Sequence, residues 1–203
     1  MLAAAIVLAV VAGCAPAAEP QRSVAASAAG YGGVELTTPY SLPDITLTDQ
    51  DGKSFDVRAG SGKPVLVFFF GYTHCPDICL GVLTDLASAS NRLPEEVRAK
   101  LQVVFVTVDP ARDDPAALRT YLNRIDPGFL GLTGDAGDIE RLAEAMGVGI
   151  EGTQRLPNGD YEVLHTAQVV GFDAQRRGVL VWTQGTPIGT YRSDFERLVR
   201  QQG

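Results

Sequence analysis

Positive charge is under-represented in this sequence. Its 203 residues include 17 Lys and Arg against 24 Asp and Glu, which gives a formal net charge of -7. A surface with that balance repels phosphate backbones, so the electrostatic footprint of a nucleic-acid-binding protein is missing. We therefore expect no nucleic-acid partner.

Cysteine and histidine are also scarce, with three cysteines and two histidines in the whole chain. A chain of this length buries enough surface to fold as a single domain without disulfide staples. Any chemistry that needs thiols or imidazoles must therefore come from a handful of positions.

The sequence begins with an apolar run that is too short to cross a membrane. Residues 1–12 are all apolar, a length typical of the hydrophobic region of a secretion signal. Small residues then lead straight into Cys14, which resembles the processing site of bacterial lipoproteins, although the usual positive residues before the run are absent. We expect a signal peptide over residues 1–13, lipidation of Cys14, and export to the outer face of the bacterial cytoplasmic membrane. The alternative is a plain signal peptide with a chance cysteine.

The segment after Cys14 has the composition of a spacer. Residues 15–33 are rich in Ala, Ser, Gly and Pro and show no periodic apolar pattern, as expected of a flexible linker. We assign residues 14–36 to a lipid-anchored flexible linker and residues 37–203 to the folded domain.

Strand and helix patterns alternate along that domain. Residues 64–70 and 101–108 are continuous apolar runs, typical of strands buried on both faces of a sheet. Helical patterns follow each run, and Asp-Gly and Asn-Gly pairs mark hairpins over residues 44–57 and around Asn158. The order predicts an α/β thioredoxin-like fold, a central mixed sheet flanked by helices. An N-terminal hairpin should open the domain, and an inserted hairpin should precede the strand at residues 167–172.

With Cys14 at the anchor, two cysteines remain for chemistry. Cys75 and Cys79 lie where the first apolar strand gives way to a helix whose first turn should include Pro76. On a helix their spacing puts the side chains one turn apart on one face, so both sulfurs can reach one ion. Their Cα atoms would be roughly 6 Å apart, which also permits a disulfide. The helix amino terminus should lower the thiol pKa. A redox disulfide, a metal site, or both in turn fit better than an inert core pair.

Two thiolates leave a metal under-coordinated, so a third group must arrive from elsewhere. His165 precedes the strand at residues 167–172, where a thioredoxin places a cis-proline against its sulfurs; here Leu164-His165-Thr166 has no proline. His74, beside Cys75, is the alternative, and we expect it either to lie near the site without ligating or to be solvated. Two thiolates and one imidazole suit copper, whereas a structural zinc site takes four protein ligands.

Two short segments of the chain have the character of sequence motifs. Residues 71–79 read Gly-Tyr-Thr-His-Cys-Pro-Asp-Ile-Cys, and residues 106–115 read Val-Thr-Val-Asp-Pro-Ala-Arg-Asp-Asp-Pro. Both resemble motifs of the Sco/SenC family, helpers of cytochrome c oxidase copper-centre assembly, and residues 165–168 lie where that family has its histidine ligand. The resemblance runs over about residues 39–198. Leu80 departs from it, because many members have proline there.

The resemblance implies a role for each of these positions. Cys75, Cys79 and His165 would be the copper ligands, and Asp109 would lie near the ion or the docking surface, unless it simply pairs with Arg112. The ligand would be copper, as Cu(I) or Cu(II), and the partner cytochrome c oxidase subunit II or another copper-accepting protein. The function would be copper delivery to the dinuclear centre of subunit II, or reduction of that centre's cysteines.

The cysteine pair also fits an enzyme. An extracytoplasmic thiol:disulfide oxidoreductase or a peroxiredoxin-like peroxidase would use Cys75 as nucleophile and Cys79 as resolving thiol. Thr73 stands at the wrong spacing for the Thr-x-x-Cys arrangement of a peroxidase. His165 separates the classes, because a copper carrier needs it as a ligand and a dithiol reductase tolerates its loss. We favour the metallochaperone, which is not an enzyme.

Overall fold

The computed structural model describes residues 30–76 and 78–201. The predicted signal peptide, Cys14 and most of the predicted linker lie outside the described residues. Within the described ranges, no helix is long and apolar enough to cross a membrane.

The described residues form ten strands and five helices. The strands are β1 (Val34–Ser41), β2 (Thr46–Asp49), β3 (Ser54–Asp56), β4 (Val65–Gly71), β5 (Leu101–Thr107), β6 (Leu130–Thr133), β7 (Ile150–Arg155), β8 (Tyr161–His165), β9 (Val169–Phe172) and β10 (Arg177–Trp182). The helices are α1 (Ile78–Ser90), α2 (Glu95–Arg98), α3 (Pro115–Asn123), α4 (Ala136–Ala145) and α5 (Ile188–Arg200).

Eight of the strands form one mixed sheet in the order β1-β10-β9-β4-β5-β6-β2-β3. The pairs β4-β5 and β5-β6 are parallel, and the other neighbours are antiparallel. β7 and β8 form a separate two-stranded hairpin outside this sheet. The predicted central mixed sheet and the hairpin before the last strand pair are both confirmed.

Helices cover both faces of the sheet. Along β4 the side chains alternate: Val67 and Phe69 belong to the core formed with α1, α3 and α5, and Leu66 and Phe68 belong to the core formed with α4. Every residue of β4 is buried. This burial on two faces is the reason that the strand is a continuous apolar run.

Parallel pairing aligns the ends of β4 and β5. Gly71 lies opposite Thr107 in the register, so the loops that follow the two strands leave the sheet at the same edge. The strings at residues 71–79 and 106–115 are therefore neighbours in space.

The domain starts earlier than the sequence predicts. β1 pairs with β10 at the edge of the sheet, so residues 34–36 belong to the sheet and not to the linker, and the β2-β3 hairpin is not the first element. None of the β1 residues is buried, so the strand lacks the apolar pattern of a core strand. Pro39 is tolerated there because β1 is an edge strand with an irregular register.

Asp194 fastens the segment that leads into β1. Its buried carboxylate accepts hydrogen bonds from the backbone N–H groups of Gly32 (2.9 Å) and Gly33 (2.8 Å) and from Trp182 Nε1 (2.7 Å). Bonds to a charged acceptor are stronger than those between neutral groups. One side chain of α5 thus holds three donors from two other parts of the chain.

Asp194→Ala is expected to lower the free energy of unfolding by about 3 kcal/mol or more, because three buried donors lose their acceptor. Urea unfolding measures the loss. Glu196→Ala is the matched control on the same helix, since Glu196 pairs with Arg200 at the surface and its loss should cost less than about 1 kcal/mol. Equal losses in the two variants would contradict the anchoring role of Asp194.

Candidate metal centre

Cys75 and Cys79 lie together beyond the end of β4. Cys79 is fully buried in the first turn of α1, and Cys75 is partly buried in the loop before it, where its N–H donates to the carbonyl of Tyr72 (3.2 Å). Because α1 begins at Ile78, the prediction that Pro76 lies in the helix and that both cysteines share a helical face is wrong for Cys75. Neither cysteine is in a disulfide.

The two thiols interact with each other. A hydrogen bond to Cys75, burial, and negative charge at Cys75 together raise the pKa of Cys79 far above that of an ordinary thiol, and a backbone hydrogen bond at Tyr72 opposes them. The helix terminus was predicted to lower the thiol pKa, and at Cys79 the opposing effects are larger. Cys79 remains a neutral thiol at neutral pH until an ion or an oxidant displaces its proton.

Gly71 makes room for the buried sulfur. A Cβ atom at this position would lie 2.9 Å from Cys79 Sγ and 2.9 Å from Phe105 Cε2. These distances are shorter than any ordinary van der Waals contact. The last residue of β4 must therefore lack a side chain for Cys79 to occupy its place.

Asp113 holds the loop that carries Cys75. We name residues 72–76 the sulfur loop. The buried Asp113 carboxylate accepts bonds from Thr73 N–H (2.9 Å), Thr73 Oγ1 (2.6 Å) and Thr107 Oγ1 (2.7 Å). It thus joins the end of β5 to the sulfur loop. No role for Asp113 at the site follows from the sequence, although it stands inside the second family-like string.

His165 is the last residue of β8. Its Nδ1 lies 3.0 Å from the carbonyl oxygen of Val163, which can only accept, so Nδ1 donates and Nε2 keeps its lone pair. Nε2 is buried and has no hydrogen-bond partner among the described residues. The ring packs edge-on against Tyr72, with 5.9 Å between centroids. A metal-binding imidazole is commonly held in this way, through its other nitrogen.

His165 and Cys75 line one cavity of about 280 Å³, together with Tyr72, Pro76 and Ile78. In the described part of the chain, no three His, Cys, Asp or Glu side chains lie close enough together to hold a metal ion. Two of the predicted ligands, Cys75 and His165, therefore border one cavity, Cys79 is not part of its lining, and the three do not form an assembled cluster. Ligation by all three would require the hairpin and the sulfur loop to move closer.

The two residues predicted beside the ligands do not line this cavity. His74 is exposed, and its Nδ1 lies 3.0 Å from Thr73 Oγ1. Asp109 is buried, accepts a bond from the Tyr161 hydroxyl (3.0 Å) and forms an ion pair with Arg112. Asp109 thus has the pairing role that was the alternative to influencing the ion.

Comparison with known proteins identifies the family. The SCO1/SenC family model matches residues 36–200. The chain therefore belongs to the SCO1/SenC family, which confirms the resemblance found in the sequence.

Individual relatives agree with this assignment. A protein of Stutzerimonas stutzeri, named as a candidate copper-binding protein, is 38% identical over 145 residues, which are 70% of each chain. The mitochondrial SCO1 protein of Saccharomyces cerevisiae is 35% identical over 138 residues, 68% of this chain and 45% of SCO1. The chain thus spans less than half the length of this yeast relative.

A solved structure carries the same fold. ScoI of Bradyrhizobium japonicum with copper bound is 31% identical and matches with a TM-score of 0.67, over 79% of this chain and 97% of that one. The predicted thioredoxin-like fold is confirmed by this match.

Gly71→Ala is expected to lower the free energy of unfolding by about 1–3 kcal/mol, because the added methyl group overlaps Cys79 Sγ and Phe105. Urea unfolding of the reduced protein measures this loss of stability. Gly62→Ala is the control, since a Cβ atom at Gly62 meets nothing within 4 Å. If the two variants unfold at the same urea concentration, the close approach of Gly71 to the sulfur has no energetic weight.

Proposed function

We propose that this chain is a copper carrier that holds one copper ion with Cys75, Cys79 and His165 and passes it to another protein. The copper is cargo, and the chain makes no product of its own. Family membership supports this proposal, because a related structure has copper bound.

The observation that carries the proposal is the buried Nε2 atom of His165. A buried polar atom without a partner costs about 1–3 kcal/mol, and a metal ion would satisfy it. The same residue lines a cavity with Cys75, whose sulfur interacts with that of Cys79. The donor set is therefore two sulfurs and one imidazole nitrogen.

This donor set selects for copper by its chemistry. Soft thiolate ligands favour Cu(I), which accepts three donors, and imidazole also suits Cu(II) with an added oxygen ligand. Asp113 accepts three hydrogen bonds and Asp109 pairs with Arg112, so neither is available to a harder ion. Glu162 lines the cavity, but one carboxylate is far from the oxygen cage that a hard ion requires. Copper is thus a better fit than magnesium, calcium or zinc.

The two sulfurs would have different tasks in copper exchange. Cys75 borders the cavity and is partly exposed, so an incoming protein can reach it first. Cys79 is buried and protonated, so it binds only when copper displaces its proton. Ligand exchange that begins at Cys75 and ends at Cys79 would move the ion without exposing it to water.

The proposed recipient is cytochrome c oxidase subunit II or another copper-accepting protein. The family resemblance supports copper-centre assembly as the context. Lipidation at Cys14 would hold the domain at the outer face of the cytoplasmic membrane, within reach of a membrane-bound recipient.

A thiol:disulfide oxidoreductase is the second candidate, favoured by the contact between two thiols that are not joined in a disulfide. Oxidation would join the two sulfurs and pass two electrons and two protons to a partner disulfide, which becomes two thiols. Dithiol activity that His165→Ala leaves intact, in a protein with no His165-dependent copper binding, would favour this candidate over the carrier.

His165→Ala is expected to weaken Cu(I) binding by the reduced protein at least about tenfold, or about 1.4 kcal/mol, because one of three donors is lost. Anaerobic titration against a competing Cu(I) chelator measures the affinity. His74→Ala is the matched control, since His74 is exposed and does not line the cavity, and should bind as the wild type does. Unchanged affinity in His165→Ala would refute the three-ligand site.

Copper affinity is expected to rise with pH. The raised pKa keeps Cys79 protonated through the neutral range, so each copper ion bound releases that proton, and this proton alone raises the affinity for Cu(I) about tenfold per pH unit. Titrations at several pH values between about 6 and 8 test this slope. Cys79→Ser should flatten it by one proton. A wild-type affinity independent of pH would mean that Cys79 is not a ligand.

A further inference from the structure

Arg112 makes contacts in several directions at once. Its Nη1 pairs with Asp160 Oδ1 at 2.7 Å, and its Nη2 donates to the carbonyl of Tyr161 at 3.1 Å. The guanidinium carbon lies 3.6 Å from the centre of the Tyr161 ring and 5.6 Å from that of Tyr72. Its Nε pairs with Asp109. One side chain thus combines two ion pairs, a backbone hydrogen bond and two ring contacts.

These contacts join the hairpin to the edge of the sheet. Asp160 immediately precedes β8, and Tyr161 is the first residue of that strand. Asp109 follows β5, and Tyr72 follows β4. The Tyr161 hydroxyl adds a second link, since it donates to Asp109 at 3.0 Å. Arg112 therefore connects both loops at the end of the parallel strands to the strand that ends in His165.

The hairpin is largely exposed and packs on the core through Val163, Ile150 and Tyr161. Five of the six residues of β7 are exposed, and Val163 is the only fully buried residue of β8. Neither strand is paired with the eight-stranded sheet. The hairpin therefore depends on side-chain anchors such as Arg112 for its position.

The Arg112–Asp109 part of this network is shielded from water, whereas Asp160 is half-exposed. The Arg112 side chain is 18% exposed and that of Asp109 is 5% exposed. Buried ion pairs are screened little by salt, and removing one partner leaves the other charge buried without compensation. The planar guanidinium also stacks on aromatic rings and donates several hydrogen bonds in a fixed geometry, which lysine cannot reproduce.

We propose that Arg112 is a positioning residue for His165: it holds the β7-β8 hairpin at the edge of the sheet and so keeps the imidazole beside the sulfur pair. The inference rests on the proposed function, in which His165 is a copper ligand. Asp113, the next residue, holds the sulfur loop through Thr73. The segment at residues 109–113 thus positions both halves of the site.

Hydrogen exchange of the metal-free, reduced protein tests the anchoring. Arg112→Gln is expected to raise amide exchange in residues 150–165 at least about tenfold, while β4 and β5 change by less than about twofold. Arg141→Gln is the matched control, because Arg141 pairs with Asp138 at the same spacing but on the exposed surface of α4. Unchanged exchange in the hairpin of Arg112→Gln would overturn the proposal.

Cu(I) affinity in four proteins tests whether the effect passes through His165. The set is the wild type, Arg112→Gln, His165→Ala and the double variant. Arg112→Gln should weaken binding at least about fivefold when His165 is present and less than about twofold when it is absent. Equal losses in both backgrounds would overturn the proposal, because Arg112 would then act on the fold as a whole.

The two experiments separate this inference from the proposed function. If His165→Ala binds copper as the wild type does, the ligand assignment fails, and hydrogen exchange still decides whether Arg112 anchors the hairpin. If Arg112→Gln does not fold, Asp160→Asn takes its place in both experiments, since Asp160 is half-exposed and contributes one of the ion pairs. A smaller effect in the same direction, about threefold in exchange, is then expected, and none would overturn the proposal.

Discussion

The site depends on the parallel pairing of β4 with β5. The register sets Gly71 opposite Thr107, and the N–H of Val108 donates to the carbonyl of Gly71 at 2.7 Å. Two loops separated by some thirty residues of sequence therefore leave the sheet side by side. Asp113 then returns to bond Thr73 and Thr107, which fixes the sulfur loop against the end of β5. Without this alignment, no later contact could bring the cysteines to the segment that positions them.

Most of the fold could be predicted because its central strands are buried on both faces. Burial of that kind requires continuous apolar runs, and β4 and β5 have them. No pattern in the sequence predicted β1 or β6. β1 is an edge strand with no buried residue, and β6 has only four residues, including Gly131, whose missing side chain leaves space for Leu122. Such strands are defined by their neighbours in the sheet and not by their own composition.

The candidate site could be predicted only in part, for a related reason. The cysteine spacing and the position of His165 are local features that one stretch of sequence displays. The roles of Arg112 and Asp113 come from contacts with residues 40 to 49 positions away. Asp109 was expected near the ion or the docking surface, or paired with Arg112, and its carboxylate pairs with Arg112 and accepts a hydrogen bond from Tyr161. Polar contacts between distant segments leave no periodic pattern, so a single sequence cannot show them.

The two halves of the site have different supports, and this difference bears on how a cargo ion could be exchanged. The sulfur pair is attached to the buried core through β4, α1 and Asp113. The imidazole is attached to a hairpin outside the sheet, held by Val163 and the Arg112 network. A ligand on a separately anchored element can leave the ion at the cost of a few polar contacts, without disturbing the core. A site with all its ligands on the central sheet would bind rigidly but release slowly. A carrier has to bind its ion and also release it, and dividing the proposed ligands between a fixed element and a separately anchored one permits both.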